Sequence, residues 1–243
     1  ETRSSSSTSA SKQVLFRFRG GGSEDQNHQL DVPGASPLLL AHGTTTVAMV
    51  IDGGIIAAVD SRASMGAFIG SSTTTKFIPI SKTIVGTMAG GAADCSFWLR
   101  VLGEQVRVLT GNGARVTVRA AARVLANVLH GLSGGGLSIG TMIMGWDGGA
   151  EGGSPDLYYV DSEGTRVRGS YFAVGSGSTY AYGVLDAGYQ RNMTVGAAAA
   201  LAARAVQRAA FRDAYSGGFI NVYHVNATGV TQLSRAYDES VLS

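Results

Sequence analysis

The order of apolar segments after residue 44 restricts the fold more than any other feature of the chain. Two pairs of predicted strands come first, two amphipathic helices follow, and strands and helices then repeat in that order. The connection at Asp52-Gly53-Gly54 is a strong signal for a hairpin of antiparallel strands. Strand pairs that alternate with helix pairs predict two antiparallel sheets packed together with helices outside, a layered α/β (α+β) domain.

The predicted elements share apolar residues at strand or helix spacing and are bounded by glycine-rich or polar turns. Predicted strands cover residues 45–51, 55–60, 77–80, 83–88, 138–145, 156–161, 166–174, 219–225 and 230–233. Predicted helices cover residues 92–106, 116–129, 179–188 and 195–215. The glycine-rich residues 148–154 are predicted to form a surface loop.

Composition changes sharply near residue 42. The preceding segment is rich in serine, glycine and turn formers, and it has too few apolar side chains to offset the entropy of ordering. A flexible tail or a targeting remnant is one interpretation. We favour a propeptide at residues 1–43, followed by a folded domain at residues 44–243, because of the Gly43–Thr44 junction between them.

Thr44 follows a glycine and stands at the head of the first predicted strand. Gly43 has no Cβ to shield its carbonyl and can adopt backbone angles that other residues avoid, so the Thr44 hydroxyl could attack that carbonyl. Cleavage there would leave Thr44 with a hydroxyl nucleophile and a free α-amine, a known pairing for covalent catalysis. A Gly-Thr pair alone specifies little, and the residues downstream decide its meaning.

Three charged residues flank the early strands. Asp60 and Arg62 end the second predicted strand, and Lys76 precedes the third. A lysine that enters a sheet core needs a counter-ion, and Asp60 is the obvious candidate. A buried ammonium beside Thr44 would lower the pKa of the threonine hydroxyl or of the new amine. Alternatively, Asp60 and Arg62 form a surface ion pair worth about 0–1 kcal/mol, and their spacing leaves both interpretations open.

Six segments stand in a fixed order along the chain and together carry a resemblance to a known family. They read GTTT (43–46), DSRA (60–63), GTMAGGAADC (86–95), YYVDSEG (158–164), GSGS (175–178) and RDAYSGG (212–218). These segments resemble those of catalytic proteasome beta subunits, most closely the chymotrypsin-like type (beta type five). The resemblance runs from Gly43 to about Leu233, and only the loop at residues 148–154 is a few residues longer. It implies a four-layer αββα sandwich of the N-terminal-nucleophile hydrolase type, with residues 44–243 as a proteasome-type threonine peptidase domain.

The resemblance also implies a role for each matching residue. Thr44 is the nucleophile after Gly43 is removed, and its own α-amine is the general base, since such an amine titrates at about 7.7–8, close to the operating pH. Lys76 with Asp60 supplies positive charge, and the Gly90 N–H is the oxyanion-hole donor. The hydrogen-bond network around the Thr44 amine is formed by Ser176, Asp213 and Ser216.

The specificity pocket that the resemblance implies has small or apolar walls, which favours a large hydrophobic residue on the acyl side of the cleaved bond. Cys95 is such a wall residue by resemblance, whereas its residue type alone favours a packed core thiol. Departures from the family pattern at Ser64, Met65, Thr74 and Thr75 leave open which hydrophobic residue is preferred. The substrate-binding residues are Ala63, Ser64, Thr74, Met88, Ala92 and Cys95, with Ile78 behind them.

Parts of the sequence also suggest three alternative functions. Gly136 to Gly140 matches a G-x-S-x-G nucleophile elbow with Asp213 and His224 following, but Ser138 comes after a helix and opens a strand, the reverse of the required order. A Cys–His enzyme centred on Cys95 is disfavoured because that residue lies on the apolar face of a helix. A catalytically silent structural ring subunit is disfavoured because every residue of the catalytic set is present.

Composition bears on the partners and the compartment. A net charge of +2 without a Lys/Arg cluster argues against nucleic acid, and the apolar runs are too short for a membrane helix. The single cysteine fits a reducing compartment, and we expect the cytoplasm and nucleus. The scattered histidines predict no metal, and no cofactor is implied. By resemblance, the partners are alpha and beta proteasome subunits in stacked seven-membered rings and unfolded polypeptide substrates, in ATP/ubiquitin-dependent degradation.

Overall fold

The computed structural model describes residues 43–65, 68–148 and 152–237. The predicted propeptide, apart from Gly43, and the middle of the predicted 148–154 loop lie outside the described residues, so both stay predictions. In chain order the elements are β1 (Thr46–Ile51), β2 (Gly54–Val59), β3 (Ala63–Met65), β4 (Phe68–Ser71), β5 (Phe77–Pro79), β6 (Ile84–Thr87), β7 (Ala89–Gly90), α1 (Ala92–Gly111), α2 (Val118–Gly131), β8 (Ile139–Asp147), β9 (Ser154–Asp161), β10 (Arg166–Arg168), β11 (Tyr171–Val174), α3 (Ser178–Gly188), α4 (Val195–Arg212), β12 (Phe219–Asn226) and β13 (Gly229–Tyr237).

The two main sheets have antiparallel neighbours throughout. The first has the strand order β11-β1-β2-β12-β13 and the second the order β10-β9-β8-β6-β5, with β7 paired to β8. The predicted hairpin of β1 and β2 is present, with Ile51 opposite Gly54. The short strands β3 and β4 pair with each other outside both sheets.

Strand β1 shows how the layers are built. All six of its residues are buried, because both faces of the strand are covered. Val47 and Met49 pack in the cluster that α3 and α4 share with the first sheet, whereas Ala48 and Val50 pack in the cluster between the sheets. A third cluster joins α1 and α2 to the second sheet. The predicted four-layer αββα sandwich is therefore confirmed.

Threonine caps define the start of two of the helices. The hydroxyls of Thr117 and Thr194 accept the N–H groups of Ala120 and Ala197, at 3.1 and 3.2 Å, at the first turns of α2 and α4. Within the described part of the chain, no helix has the length and hydropathy that a membrane crossing requires.

The prediction of a single strand at residues 166–174 is wrong. The chain bends at Gly169 and Ser170, so that β10 pairs with β9 in the second sheet and β11 pairs with β1 in the first. The Ser170 carbonyl accepts the Val50 N–H at 2.7 Å at this crossing. The segment thus connects the two sheets instead of extending one of them.

Other elements also differ from the prediction. Strands β3 and β4 were not predicted, and α1 continues to Gly111. The last helix ends at Arg212 instead of residue 215, because Asp213 has extended backbone angles of φ −102° and ψ 110°. Its carboxylate Oδ1 accepts the Tyr215 N–H at 3.1 Å, which forms a turn in place of another helical turn. This early end places Asp213 and Ser216 beside β1.

Candidate active site

Thr44 lies two residues before the start of β1 and lines a cavity of about 290 Å³. Gly43 lines the same cavity, and a Cβ on Gly43 would lie 1.6 Å from the Cβ of Tyr215, so no side chain fits before Thr44. On the other side, Gly175 has a φ of +105°, and a Cβ there would lie 2.0 Å from the Thr44 carbonyl oxygen. Glycines on both sides therefore hold the Gly43–Thr44 junction at the cavity.

A buried ion pair lies at this cavity. Lys76 Nζ donates to Asp60 Oδ1 at 2.6 Å, and the side chains are 3% and 0% exposed. Asp60 also accepts the N–H groups of Thr45 on Oδ1 and Gly217 on Oδ2, each at 3.0 Å. Both carboxylate oxygens thus face donors, which fits the ionised form of Asp60.

Burial and charge act in opposite directions on this pair. Burial raises the pKa of the Asp60 carboxyl and lowers the pKa of the Lys76 ammonium, because each charged form loses its hydration. Their mutual attraction and hydrogen bond oppose both shifts. The alternative surface pair of Asp60 with Arg62 is excluded, because Asp60 is fully buried. Arg62 instead donates to the Ala214 carbonyl at 3.0 Å.

A hydroxyl and carboxylate network lies on the other side of Thr44. The Thr44 backbone N–H donates to Ser176 Oγ at 3.2 Å. The hydroxyls of Ser176 and Ser216 both donate to Asp213 Oδ2, at 2.5 and 2.6 Å. The structure thus brings together Ser176, Asp213 and Ser216, which come from a loop, the end of α4 and the following turn.

Gly90 has a glycine-specific conformation at the same cavity. Its φ is +101°, and a Cβ there would lie 2.5 Å from the Ser138 carbonyl oxygen. Ser138 has a structural role here, because its carbonyl also accepts the Gly91 N–H at 2.7 Å. The alternative hydrolase triad is not assembled, since Asp213 contacts the two serines while His224 contacts the Gly53 carbonyl at 2.9 Å.

The cavity walls combine predicted residues with residues that the sequence analysis missed. Ile78 and Cys95 are not among the described residues that line the cavity; Cys95 lies in the core cluster of α1 and α2, and the half-buried Ile78 packs against that cluster. Gly70 and Ser71 of β4 line it but were missed, because a strand of four residues with a glycine has little periodic signal. The predicted residues at the cavity are Ala63, Ser64, Thr74, Met88 and Ala92, together with Gly43, Thr44, Lys76 and Gly90.

Cys95 is fully buried, and its thiol donates to the Ala89 carbonyl at 3.2 Å. Burial raises the pKa of this thiol to about 11, so that the reactive thiolate is scarce at neutral pH. We expect Cys95 to resist alkylation by iodoacetamide at pH 7.5 in the native assembly and to react fully in urea, as measured by intact mass. Alkylation at equal rates in both states would contradict the burial of the Cys95 thiol.

Backbone donors were also missed by the sequence analysis. The N–H groups of Thr45 and Gly217 bind Asp60, and that of Tyr215 binds Asp213. No residue type marks such contacts, because every non-proline residue carries this donor. Among the described residues, no three histidine, cysteine or acidic side chains cluster as a metal site would require.

Known proteins resemble this chain over most of its length. The family model described as "Proteasome subunit" matches residues 40–225. Proteasome subunit beta type-5 of Gallus gallus is 54% identical over 205 residues, which is 84% of this chain and 78% of the relative. The Dictyostelium discoideum beta type-5 subunit is 52% identical over 84% of this chain and 74% of the relative. Proteasome subunit beta type-8 of Homo sapiens is 44% identical over 90% of this chain and 79% of the relative.

The matched region contains the whole of the geometry described above. Thr44, the Asp60–Lys76 pair, Gly90 and the network of Ser176, Asp213 and Ser216 all fall between residues 40 and 225. The family match covers most of the chain, and two of the relatives are more than 50% identical to it. The chain belongs to the proteasome subunit family, among its beta-type members.

Proposed function

We propose that this chain is the chymotrypsin-like threonine endopeptidase subunit of the 20S proteasome core, with Thr44 as its nucleophile. The observation that carries the proposal is the position of Thr44 at one cavity with Lys76 and Gly90. The Thr44 backbone N–H also donates a hydrogen bond to Ser176 Oγ. The proposed nucleophile, cation and oxyanion donor line the same cavity, and the proposed base is the Thr44 nitrogen itself. A silent structural subunit would need none of these contacts.

The mechanism follows from the atoms around Thr44. After cleavage at Gly43, the Thr44 nitrogen becomes a free α-amine that takes the proton from its own Oγ. The Oγ then attacks the substrate carbonyl, while the buried Lys76 ammonium favours negative charge on the attacking oxygen. The Gly90 N–H stabilises the oxyanion, a contact typically worth about 10²–10³ in rate. The amine returns the proton to the leaving amine, and water hydrolyses the resulting ester.

The uncleaved chain is a zymogen for a chemical reason. While Gly43 is attached, the Thr44 nitrogen is an amide, which is not basic enough to take a proton from Oγ. Self-cleavage at Gly43–Thr44 uses the same hydroxyl, which attacks the Gly43 carbonyl in an N→O acyl shift before water hydrolyses the ester. Gly43 packs so closely against Tyr215 that a side chain at residue 43 would overlap it. This close packing supports the proposed self-cleavage, because it keeps the scissile bond at the cavity.

The cavity walls support cleavage after large hydrophobic residues. Ala63, Met88 and Ala92 offer small or apolar surface, and the cationic wall residue, Lys76, is paired with Asp60. Such walls give a basic or acidic substrate side chain no free opposite charge. We propose unfolded polypeptides as the substrates.

The chain assembles with other proteasome subunits. We propose that it does so in stacked seven-membered rings of alpha and beta subunits. Apolar side chains exposed on two helices, Phe97 and Val108 on α1 and Phe211 on α4, support extensive contacts between subunits. Electron microscopy of the purified assembly tests the ring size directly.

We also propose that the assembly works in the cytoplasm and nucleus, in ATP/ubiquitin-dependent degradation. The single cysteine, which is a free thiol, supports a reducing compartment. Fluorescence microscopy of the tagged full chain tests the location, and retention in the secretory pathway would contradict it.

The experiment that tests the function is an intact-mass and N-terminal measurement on the native assembly, before and after a threonine-directed electrophile. We expect a mature chain that begins at Thr44 and carries one adduct there. Peptides with tyrosine, arginine or glutamate before the reporter group are assayed in parallel, and we expect the adduct at Thr44 to remove mainly the hydrolysis after tyrosine. A chain that retains residues 1–43 and takes no adduct would instead indicate the silent structural subunit.

A further inference from the structure

Thr45, the residue after the nucleophile, contacts both groups that flank Thr44. It is fully buried, its backbone N–H donates to Asp60 Oδ1 at 3.0 Å, and its Oγ1 lies 2.7 Å from Ser216 Oγ. Thr45 is not among the described residues that line the cavity. Its hydroxyl therefore acts within the hydrogen-bond network and does not contact substrate.

The direction of each hydrogen bond in the network follows from counting protons. An ionised Asp213 carboxylate only accepts, and each hydroxyl has one proton. Ser216 gives its proton to Asp213 Oδ2 at 2.6 Å, so the Thr45 hydroxyl must donate to Ser216. Ser176 gives its proton to Asp213 Oδ2 at 2.5 Å and therefore accepts the Thr44 N–H at 3.2 Å.

Gly177 leaves space for this arrangement. Its φ of −86° is open to any residue, so glycine is not needed there for its backbone angles. A Cβ at residue 177 would, however, lie 2.1 Å from Thr45 Oγ1 and 3.2 Å from Asp213 Oδ2. The Thr45 hydroxyl thus occupies a slot that a side chain at residue 177 would fill.

We propose that Thr45 is a positioning residue for catalysis, whose hydroxyl begins a directed chain of hydrogen bonds from Thr45 to Ser216 and Asp213. Because the Ser176 hydroxyl donates to Asp213, Ser176 Oγ can only accept a hydrogen bond from the Thr44 nitrogen. The lone pair of the mature α-amine therefore stays available to take the proton from Thr44 Oγ. Donors in series strengthen one another in a buried site. The inference rests on the proposed function, since it concerns the same nucleophile.

The test compares three variants of the full chain in the native assembly. Thr45→Val keeps the shape of the side chain and removes the donor, Thr45→Ser keeps the donor, and Thr46→Val is the matched control. Thr46 lies on β1 and is as fully buried as Thr45, but its Oγ1 makes only a long hydrogen bond, 3.4 Å, to the Val174 carbonyl. Rates are divided by the fraction of chains that begin at Thr44, measured by intact mass, so that slow processing does not count as slow catalysis.

We expect Thr45→Val to lower kcat about tenfold with KM within about twofold, the equivalent of about one buried hydrogen bond. Thr45→Ser should recover most of that loss, and Thr46→Val should match the unaltered chain. Equal losses for Thr45→Val and Thr46→Val, or no recovery with serine, would overturn the proposal. If Thr45→Val does not assemble, Thr45→Ala, which cannot overfill the slot, is read by the same criteria.

These outcomes separate the inference from the proposed function. An unaltered assembly that takes no adduct at Thr44 would refute the proposed function. Normal adduct formation at Thr44 together with unchanged kcat in Thr45→Val would refute only the role of Thr45.

Discussion

Thr44→Ala abolishes both the release of residues 1–43 and peptide hydrolysis by this subunit. The Thr44 hydroxyl is the attacking group in both reactions, and water bound in its place lacks the fixed position next to the Gly43 carbonyl. Loss of the nucleophile in a hydrolase costs about 10⁴-fold or more in kcat. The buried surroundings of Thr44 accept alanine without a steric conflict, so the variant chain should still assemble.

Thr44→Ser is the matched control because it keeps a hydroxyl and, after processing, the α-amine. We expect it to be processed and to retain measurable activity, whereas Thr44→Ala shows neither. The measurement is the intact mass of the chain from the assembly, together with hydrolysis of a peptide with tyrosine before the reporter. A neighbouring active subunit can trim part of the propeptide in Thr44→Ala. Cleavage at Gly43–Thr44 itself in that variant would refute the mechanism.

Local patterns predicted the layers of this fold because each layer leaves its own periodicity in the sequence. The turn at Asp52-Gly53-Gly54 and the flanking apolar residues were enough for the hairpin of β1 and β2. Residues 166–174 were predicted as one strand because β-branched or aromatic residues lie on both sides of Gly169 and Ser170. The choice of neighbour, β9 for one half and β1 for the other, depends on tertiary packing and leaves no local signal.

In the site, too, the sequence identified residues whose surroundings only the folded structure reveals. The resemblance to known subunits identified Asp60, Lys76 and Asp213, but the spacing of Asp60 and Arg62 alone also allowed a surface ion pair. Burial decided between these interpretations, and burial depends on the whole sandwich. The Thr45 hydroxyl was missed because threonine at the start of a predicted strand is ordinary. Only its 2.7 Å contact with Ser216 distinguishes it.

Lys76→Met should lower both activity and stability, for different reasons. Methionine fills much of the same space but removes the cation at the cavity, and loss of a single electrostatic contact of this kind costs about 10²–10³ in kcat. The change also leaves the Asp60 carboxylate fully buried without its 2.6 Å partner. Breaking a buried pair in this way costs about 3–5 kcal/mol in the free energy of unfolding.

The double variant Asp60→Asn with Lys76→Met separates the two effects. It removes both buried charges, so the urea midpoint of the assembly should recover much of the loss seen with Lys76→Met alone. Recovery should be incomplete, because Asp60 accepts the N–H groups of both Thr45 and Gly217, and asparagine has a single carbonyl oxygen to offer them. Activity should stay low, since no cation remains near Thr44. If the double variant regained activity along with stability, Lys76 would serve only to neutralise Asp60, and the electrostatic part of the mechanism would be wrong.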